Sequence, residues 1–331
     1  MFRKFGFVVF VMIIAMVTGC INPTAPPYPA PTEYTPYPAS NEQITAQQDT
    51  GIYYFLAANN SDPFYIPGVQ GFTDAGNALG VKTEFVGPMD LSLAGQMSTF
   101  DQLVNSPNTA GIFWYPMDFN AGEPYVQAAV DKGIPMVIGA ADSPFKTRNA
   151  FIGYDNTVLG KQAGAWVSKL TNCEGSVGVI SVIGPSLEER KAGFYDYLST
   201  VCPDLVLEEP ATHDGSAANA SAVLDAYMVA HPDLTLLWFC DGGAGQQVQN
   251  WKDKQAAGTT TMFLAMDMPP ATLDAVKDGT FVGTVGQDTY SEEYWGMTYL
   301  YYLGKGMHVP DTSYMSALLI DSSNVDQYLN K

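Results

Sequence analysis

The chain has 331 residues, of which 47% are hydrophobic and 15% are charged, a composition that argues against intrinsic disorder and predicts about two folded domains. Its 34 acidic and 15 basic residues give a net charge of −19, which argues against a surface that binds nucleic acid. The four Cys and three His form no dense cluster, which argues against a zinc module or a small disulfide-built domain.

The first 19 residues have the pattern of a secretion signal. Arg3 and Lys4 precede an apolar run over residues 5–17, which is too short for a membrane span. The run leads into Val-Thr-Gly before Cys20, and small residues before a Cys resemble a bacterial lipobox, in which that Cys is lipidated and becomes the new N-terminus. The alternative is a generic secretion signal with an incidental Cys. The lipobox interpretation places the protein outside the cytoplasmic membrane, anchored through Cys20.

A proline-rich segment follows the predicted anchor. Residues 21–50 contain seven Pro among Thr, Ala and Tyr. Because proline restricts φ and cannot donate to a sheet ladder, residues 20–50 are predicted to form an extended, semi-rigid linker to a body that begins at residue 51.

From residue 51 onwards, short apolar runs alternate with amphipathic segments. Continuous apolar strands between helices indicate parallel sheets that are covered on both faces. The chain is therefore predicted to form two doubly wound α/β lobes with a ligand cleft between them, beyond the carboxyl ends of the strands. Strands are predicted at residues 52–58, 81–86, 111–114, 134–138, 177–182, 205–207, 234–239, 262–265 and 281–285. Helices are predicted at residues 63–79, 96–104, 125–132, 158–170, 187–200, 217–230 and 245–256.

No catalytic or cofactor motif stands out. The glycine-rich residues 242–245 lack the full dinucleotide-binding spacing, no Gly-x-Ser-x-Gly elbow is present, and the three His are far apart. The paired carboxylates Glu188-Glu189 and Glu292-Glu293 are interpreted as solvated helix faces. We therefore expect no enzyme activity, no metal and no cofactor.

Polar and aromatic residues recur just after the predicted strands. Carboxylates accept hydrogen bonds from hydroxyls, an Arg donates to oxygens, and aromatic faces pack against the C–H side of a sugar, so this set suits a polyhydroxylated ligand. For Asn59, Ser143 and Asp241 taken singly, the favoured alternative is a helix N-cap. Arg190 and Gln287 are not preferred N-caps, which makes the binding interpretation stronger for them.

The sequence resembles the type I periplasmic (solute-)binding proteins of ABC importers, in particular the ribose/galactose-type sugar binders. The resemblance covers residues 51–319 and depends on the order and spacing of several segments. These are Asp-Pro-Phe-Tyr at 62–65, Gly-Ile-Pro-Met-Val at 133–137, Ile-Gly-Tyr-Asp-Asn at 152–156, Glu-Arg at 189–190 before Gly-Phe at 193–194, His-Pro-Asp at 231–233, and Lys-Asp-Gly at 277–279 leading to Gln287.

The resemblance implies a protein that captures a sugar between two closing lobes and delivers it to an ABC transporter permease. The implied lobes are residues 51–155 with 288–314, and residues 156–287 with 315–331. The implied three-segment hinge lies near Asp155-Asn156, near Gln287 and at residues 311–314. A monomer is expected. The alternatives are a tethered sensor subunit that presents its ligand-bound form to a membrane signalling protein, and an extracytoplasmic hydrolase.

The resemblance also implies a set of ligand-binding residues. Ala140 stands where the family usually has a ligand-binding Asp, so Asp142 is expected to replace it, and Cys240 stands where ribose binders have an Asn. Trp114, Tyr115 and Trp238 are expected to widen the aromatic surface, with a buried core position as the alternative for Trp238. The full candidate set is Asn60, Asp62, Phe64, Tyr65, Trp114, Asp142, Arg190, His213, Cys240, Asp267 and Gln287.

Two of the cysteines are candidates for a disulfide. Cys173 and Cys202 each follow a predicted helix of the second lobe, and an oxidising compartment would allow them to pair. The alternative is two isolated buried thiols. If the pair forms, Cys240 is a free thiol.

The lipid anchor is tested by Cys20→Ser. Because the thiol is the predicted acceptor of the lipid, we expect this variant to be released from membranes or to retain its leader, with no lipid labelling. Metabolic lipid labelling of the wild type in parallel is the control. Labelling that is equal in the two proteins would contradict the lipobox interpretation.

Overall fold

The fold consists of two mainly parallel sheets with helices on both faces. The computed structural model describes residues 50–329. Cys20, the signal segment at residues 1–19 and residues 20–49 of the predicted linker lie outside the described residues. Within the described range, no helix is long and apolar enough to cross a membrane. The predicted two-lobed α/β architecture is confirmed.

The strands predicted from the sequence are all present, with shifted ends. In chain order, the strands of the described range are β1 (Ile52–Leu56), β2 (Lys82–Val86), β3 (Thr109–Trp114), β4 (Met136–Ile138), β5 (Ala150–Gly153), β6 (Ser176–Ser181), β7 (Val206–Leu207), β8 (Ala211–Thr212), β9 (Leu236–Phe239), β10 (Met262–Met266), β11 (Gly283–Gly286), β12 (Thr312–Tyr314) and β13 (Leu318–Ile320).

The helices lie between these strands. They are α1 (Ile66–Leu79), α2 (Leu93–Asn105), α3 (Phe119–Asp131), α4 (Asn156–Thr171), α5 (Pro185–Val201), α6 (Ala217–Ala230), α7 (Val248–Ala256), α8 (Pro270–Lys277) and α9 (Thr289–Gly304). Short 3-10 helices are Pro63–Tyr65, Gly242–Gln247 and Val325–Gln327.

The first sheet has the strand order β12-β5-β4-β3-β1-β2, and the second has the order β13-β11-β10-β9-β6-β7 with β8 beside β6. All neighbouring pairs are parallel except β11 and β13. Parallel strands need helical crossovers, and the helices that provide them bury both faces of each sheet.

The chain passes between the two sheets three times. The first passage follows β5 at residues 154–155, the second follows β11 at residues 287–288, and the third joins β12 to β13 at residues 315–317. The third passage, expected around residues 311–314, lies directly after them, because β12 pairs with β5 within the first sheet. The first passage leads directly into the N-terminus of α4, and the second leads directly into that of α9.

Helices α4 and α5 pack closely, and this contact places Arg190. A Cβ atom on Gly160 would collide with the carbonyl oxygen of Arg190, and one on Gly193 would collide with that of Thr157. Only glycine allows backbones to approach so closely.

The sequence predicted a helix face at Glu292-Glu293 but no bounds for α9, and the exposure pattern of α9 explains why that face was misassigned. Its carboxylates Glu292 and Glu293 are fully buried, whereas Tyr290 and Trp295 on the same helix are 39% and 49% exposed. An amphipathic pattern assumes apolar residues inside and charged residues outside, and α9 reverses that order. The short strands β5, β8, β12 and β13 and the helix α8 were also not predicted, since they offer too few residues for a periodic pattern.

A disulfide joins the C-terminal ends of α4 and α5. Cys173 and Cys202 are bonded, with their Cα atoms 5.0 Å apart and a sequence separation of 29. Cys240 is the free cysteine of the described range and is buried. The bond closes a loop that contains all of β6 and α5, so it restricts the unfolded chain.

The double variant Cys173→Ala/Cys202→Ala tests this contribution. From the loop-closure entropy of a loop of this length, we expect the free energy of unfolding to fall by about 3–4 kcal/mol in denaturant titrations. Reductant should destabilise the wild type and leave the variant unchanged. Thiol titration of the unfolded, non-reduced residues 51–331 should find only Cys240, and finding three thiols would contradict the bond.

Candidate functional site: a cleft between the two lobes

A cleft lies between the two lobes at the carboxyl ends of their strands. Its empty space is about 910 Å³, including space that is open to solvent. The cleft combines aromatic walls with ionisable side chains from both lobes. The side chains that argue for function are Asn59, Asp62, Phe64, Tyr65, Tyr115, Ser186, Arg190, His213, Asp241, Gln246, Asp267 and Gln287.

The two lobes touch across the mouth of the cleft. A Cβ atom on Gly242 of the second lobe would lie 3.1 Å from the Phe64 Cβ of the first. One on Gly215 would lie 2.6 Å from the Leu91 Cδ1. The lobes are therefore in contact, and the structure is a closed form.

The segment after β1 supplies the aromatic wall. Asp62 accepts a hydrogen bond from the Phe64 amide at 3.0 Å, and with Pro63 it starts the 3-10 helix. Phe64 and Tyr65 then project in different directions, with ring centroids 5.0 Å apart and planes at 79°. Tyr65 packs on Phe55 of the core, so Phe64 is the ring that is freer to meet a ligand.

Arg190 of α5 occupies the base of the cleft and is 3% exposed. Its guanidinium donates to the Cys240 carbonyl at 3.3 Å, to Asn156 Oδ1 at 2.9 Å and to Gln287 Oε1 at 3.2 Å. Its Nε has no partner among the described residues. In this structure the side chain is removed from water, because α4, β9 and the passage after β11 enclose it.

Asp267 follows β10 and is 4% exposed. Its backbone has φ 67°, a left-handed conformation that is strained for a residue other than glycine. Thr284 holds it there by donating to its carbonyl oxygen at 2.7 Å. Oδ1 has no partner among the described residues, and burial raises the pKa of this carboxyl to about 8. A buried oxygen without a partner and a raised pKa are both typical of a carboxyl group that binds a ligand.

His213 and Asp241 form a buried pair. Asp241 Oδ2 lies 2.9 Å from His213 Nε2 and also accepts from the Val182 amide at 2.8 Å. The Gly215 amide donates to His213 Nδ1 at 3.1 Å, so Nε2 carries the proton and the imidazole is neutral. Asp241 Oδ1 accepts from the Gly243 amide at 2.8 Å, so Asp241 caps the 3-10 helix as well as lining the cleft.

Four residues of the predicted set lie outside the cleft. The side chains of Trp114 and Phe113 lie on opposite faces of β3 and belong to different core clusters of the first lobe. Trp114 packs on Phe100, with ring centroids 5.1 Å apart. Its assignment is wrong because side chains alternate along a strand. Cys240 is wrong for the same reason: its thiol points into the core of the second lobe, where burial raises its pKa to about 12, and Asp241 reaches the cleft instead.

Asn60 and Asp142 are occupied elsewhere. Asn60 donates to the Gly87 carbonyl at 2.9 Å and so joins the loops after β1 and β2. Asp142 accepts from Arg148 Nε at 2.6 Å and also pairs with Lys146, so it does not replace the Asp that is missing at Ala140. Ala140 itself lines the cleft. The other seven predicted residues line the cleft: Asp62, Phe64, Tyr65, Arg190, His213, Asp267 and Gln287.

The largest omission concerns Glu292 and Glu293, which lie behind Tyr115, a residue that the sequence does associate with the aromatic surface. Tyr115 lines the cleft, and its hydroxyl faces the carboxyl groups of both Glu292 and Glu293, which lie buried behind it. The interpretation of Glu292-Glu293 as a solvated helix face is therefore wrong, whereas Glu188 and Glu189 are exposed as expected. Burial raises the pKa of Glu292 to about 7, and burial and the neighbouring Glu292 raise the pKa of Glu293 well above its usual range.

Within residues 50–329, no three His, Cys, Asp or Glu side chains are grouped so that they could hold a metal ion.

Comparisons with known proteins agree with this architecture. The xylose/arabinose-binding protein of Sulfolobus acidocaldarius is 21% identical over 291 residues, which cover 83% of this chain and 72% of that protein. A solute-binding protein of an ABC transporter from Burkholderia graminis, solved with D-arabinose, superposes with a TM-score of 0.78 at 22% identity, covering 84% of this chain and 97% of that one. Another, from Agrobacterium vitis and solved with D-fucose, has a TM-score of 0.77 at 24% identity, covering 84% and 97%.

The family match extends over most of the described body. The model of the periplasmic binding protein domain matches residues 52–307, which include both sheets apart from β12 and β13. With two α/β lobes, three passages and an interlobe cleft, this chain belongs to the periplasmic binding protein domain family.

Proposed function

We propose that this protein captures a sugar between its lobes and delivers it to the permease of an ABC importer. One observation carries the proposal: residues that line the closed cleft hold buried polar atoms without a partner among the described residues, among them Arg190 Nε and Asp267 Oδ1. A buried polar atom without a hydrogen bond costs about 1–3 kcal/mol, so the arrangement favours a ligand that satisfies both.

A sugar hydroxyl has the chemistry that both atoms require. It donates to Asp267 Oδ1 through its hydrogen and accepts from Arg190 Nε through its oxygen. The exposed face of Phe64 suits the apolar C–H side of the same ring. The sugar ligands of the two solved relatives, D-arabinose and D-fucose, and the name of the xylose/arabinose-binding relative support this class of ligand.

Capture rather than catalysis fits the site. Both ring nitrogens of His213 are engaged, one with Asp241 and the other with the Gly215 amide, so the imidazole is not free to act as a general base. Closure around a ligand instead presents a different surface to a membrane partner, and the ligand shifts the population by its preference for the closed form.

The proposal includes an extracytoplasmic location with a lipid anchor at Cys20. Residues 1–19 serve as the signal, residues 20–50 as the linker, and the protein acts as a monomer. We propose residues 51–155 with 288–314 as the first lobe and residues 156–287 with 315–331 as the second. The strand pairing supports this division, because β12 pairs in the first sheet and β13 in the second.

A thermal-shift screen of pentoses, hexoses and disaccharides tests the ligand class. A sugar at a hundredfold over its Kd should stabilise the protein by about 2.7 kcal/mol, because it binds only the folded state. Polyols without a ring, such as sorbitol, serve as controls for nonspecific stabilisation. A screen in which no sugar raises the melting temperature above these controls would contradict the proposal.

Arg190→Ala tests the site. Removing a buried donor to the ligand should cost about 2–5 kcal/mol of binding, which is roughly a 30- to 4,000-fold rise in Kd by calorimetric titration. The unliganded variant should also melt earlier, because Asn156 and Gln287 lose a buried donor.

The matched control is Lys191→Ala, one residue further along α5. Lys191 pairs with the exposed Glu188 at 2.8 Å and does not line the cleft, so we expect its Kd within threefold of wild type. An Arg190→Ala variant that binds as tightly as this control would remove Arg190 from the site.

A further inference from the structure

The buried carboxyl of Glu292 reaches the floor of the cleft from behind. Its Oε1 accepts a hydrogen bond from the Ala140 amide at 3.0 Å, and the side chain has no exposed surface. Ala140 lines the cleft, but Glu292 does not. The Glu292 carboxyl thus contacts a residue of the cleft floor, Ala140, without itself lining the cleft.

Ala140 is held in a strained conformation from both sides. Its φ is 61°, in the left-handed region that disfavours a residue with a Cβ atom. Glu292 holds its amide, and Asn156 Nδ2 donates to its carbonyl oxygen at 2.7 Å. Such a conformation persists only where the surroundings determine it, and these two side chains do so.

Asn156 continues the connection into the second lobe. It is the first residue of α4, immediately after the first passage between the sheets, and it is fully buried. While its Nδ2 holds Ala140, its Oδ1 accepts from Arg190 Nη2 at 2.9 Å. The same Nη2 donates to Gln287 in the second passage at 3.2 Å. A continuous series of hydrogen bonds therefore runs from Glu292 through Ala140 and Asn156 to Arg190.

We propose that Glu292 is a positioning residue for the ligand-binding Arg190, acting across the hinge through Ala140 and Asn156. This inference rests on the proposed function, since it assigns a role in the binding of the same ligand. Without the Glu292 acceptor, the strained Ala140 backbone relaxes, Asn156 loses its fixed orientation, and the guanidinium is no longer aimed into the cleft.

Charge also links Glu292 to Arg190. Burial raises the pKa of Glu292, and the positive charge of Arg190, which belongs to the other lobe, acts in the opposite direction. We take the Arg190 charge to approach Glu292 on closure, which lowers the pKa of the carboxyl in the closed form relative to the open one. A group whose pKa falls on closure favours closure as pH rises through that pKa, near 7, so the Glu292 contribution to affinity increases with pH. Other ionisable groups also interact electrostatically with the Glu292 carboxyl. They are Tyr65, Tyr115, Tyr154, Asp267, Asp288 and Glu293.

The test compares Glu292→Ala, Glu292→Gln and the wild type by calorimetric titration of the full chain in detergent, with the best sugar from the screen. We expect Glu292→Ala to raise Kd about tenfold or more, the effect of losing one charge-assisted hydrogen bond. Glu292→Gln keeps an acceptor for the Ala140 amide but does not titrate. It should bind within threefold of wild type at pH 6 and about threefold or more weaker than wild type at pH 8, where the wild-type carboxyl is ionised and the Gln amide carries no charge.

The matched control is Glu293→Ala, which removes the neighbouring buried carboxyl but leaves the bond to Ala140. We expect its Kd to stay within threefold of wild type at pH 8. Asn156→Ala completes a double-mutant cycle: because both residues act through one series of bonds, Glu292→Ala/Asn156→Ala should bind about as weakly as the weaker single variant.

Glu292→Ala within threefold of wild type at both pH values would overturn the inference alone. Equal losses in Glu292→Ala and Glu293→Ala would also overturn it, since they would indicate a general effect of a cavity in the core. If Glu292→Ala does not fold, Glu292→Gln decides: a pH profile identical to wild type overturns the inference. A wild type that binds no sugar overturns the proposed function together with it.

Discussion

The structure depends on one constraint, the removal of the Arg190 guanidinium from water. A buried guanidinium must find acceptors for its donors, and they come from α4, from the end of β9 and from the passage after β11. These three segments meet only because α4 and α5 cross closely at Gly160 and Gly193. Arg190 lines the cleft, and its Nε has no partner among the described residues. Structural demand and binding function therefore share one side chain.

The cleft divides its chemistry between the lobes. The first lobe supplies aromatic surface, with Phe64 in contact with Gly242 across the mouth, and the second supplies most of the charge. Asp267 has a carboxylate oxygen without a partner among the described residues and a left-handed backbone conformation. Each of these features lowers the stability of the closed form without ligand. Strain and unpaired polarity concentrated at an interlobe surface suit a site whose ligand completes the closed form. The carboxyls of Glu292 and Glu293 add a third unfavourable burial directly behind the same wall.

Residue order along the chain was sufficient to predict much of the site. Polar residues after parallel strands converge at one edge of a sheet, which is why Asp62, Arg190, His213, Asp267 and Gln287 were found together. The errors came from single-residue geometry. Cys240 and Asp241 differ by one position, and strand alternation sends one side chain into the core and the other to the cleft. Asp142 was a reasonable substitute for the Asp missing at Ala140, but Arg148 occupies it.

The sequence by itself determined the alternation of strand and helix, and hence two parallel α/β lobes, because hydrophobic periodicity and turn residues are local properties. It also placed Cys173 and Cys202 at the ends of two helices, where the structure joins them. Only the tertiary structure decided which face α9 buries, that Glu292 holds Ala140, and that Asn156 connects this contact to Arg190. These contacts join residues far apart in the chain, up to 152 positions for Glu292 and Ala140. No local pattern encodes them, since their energy arises only when burial removes the alternative of bonding to water.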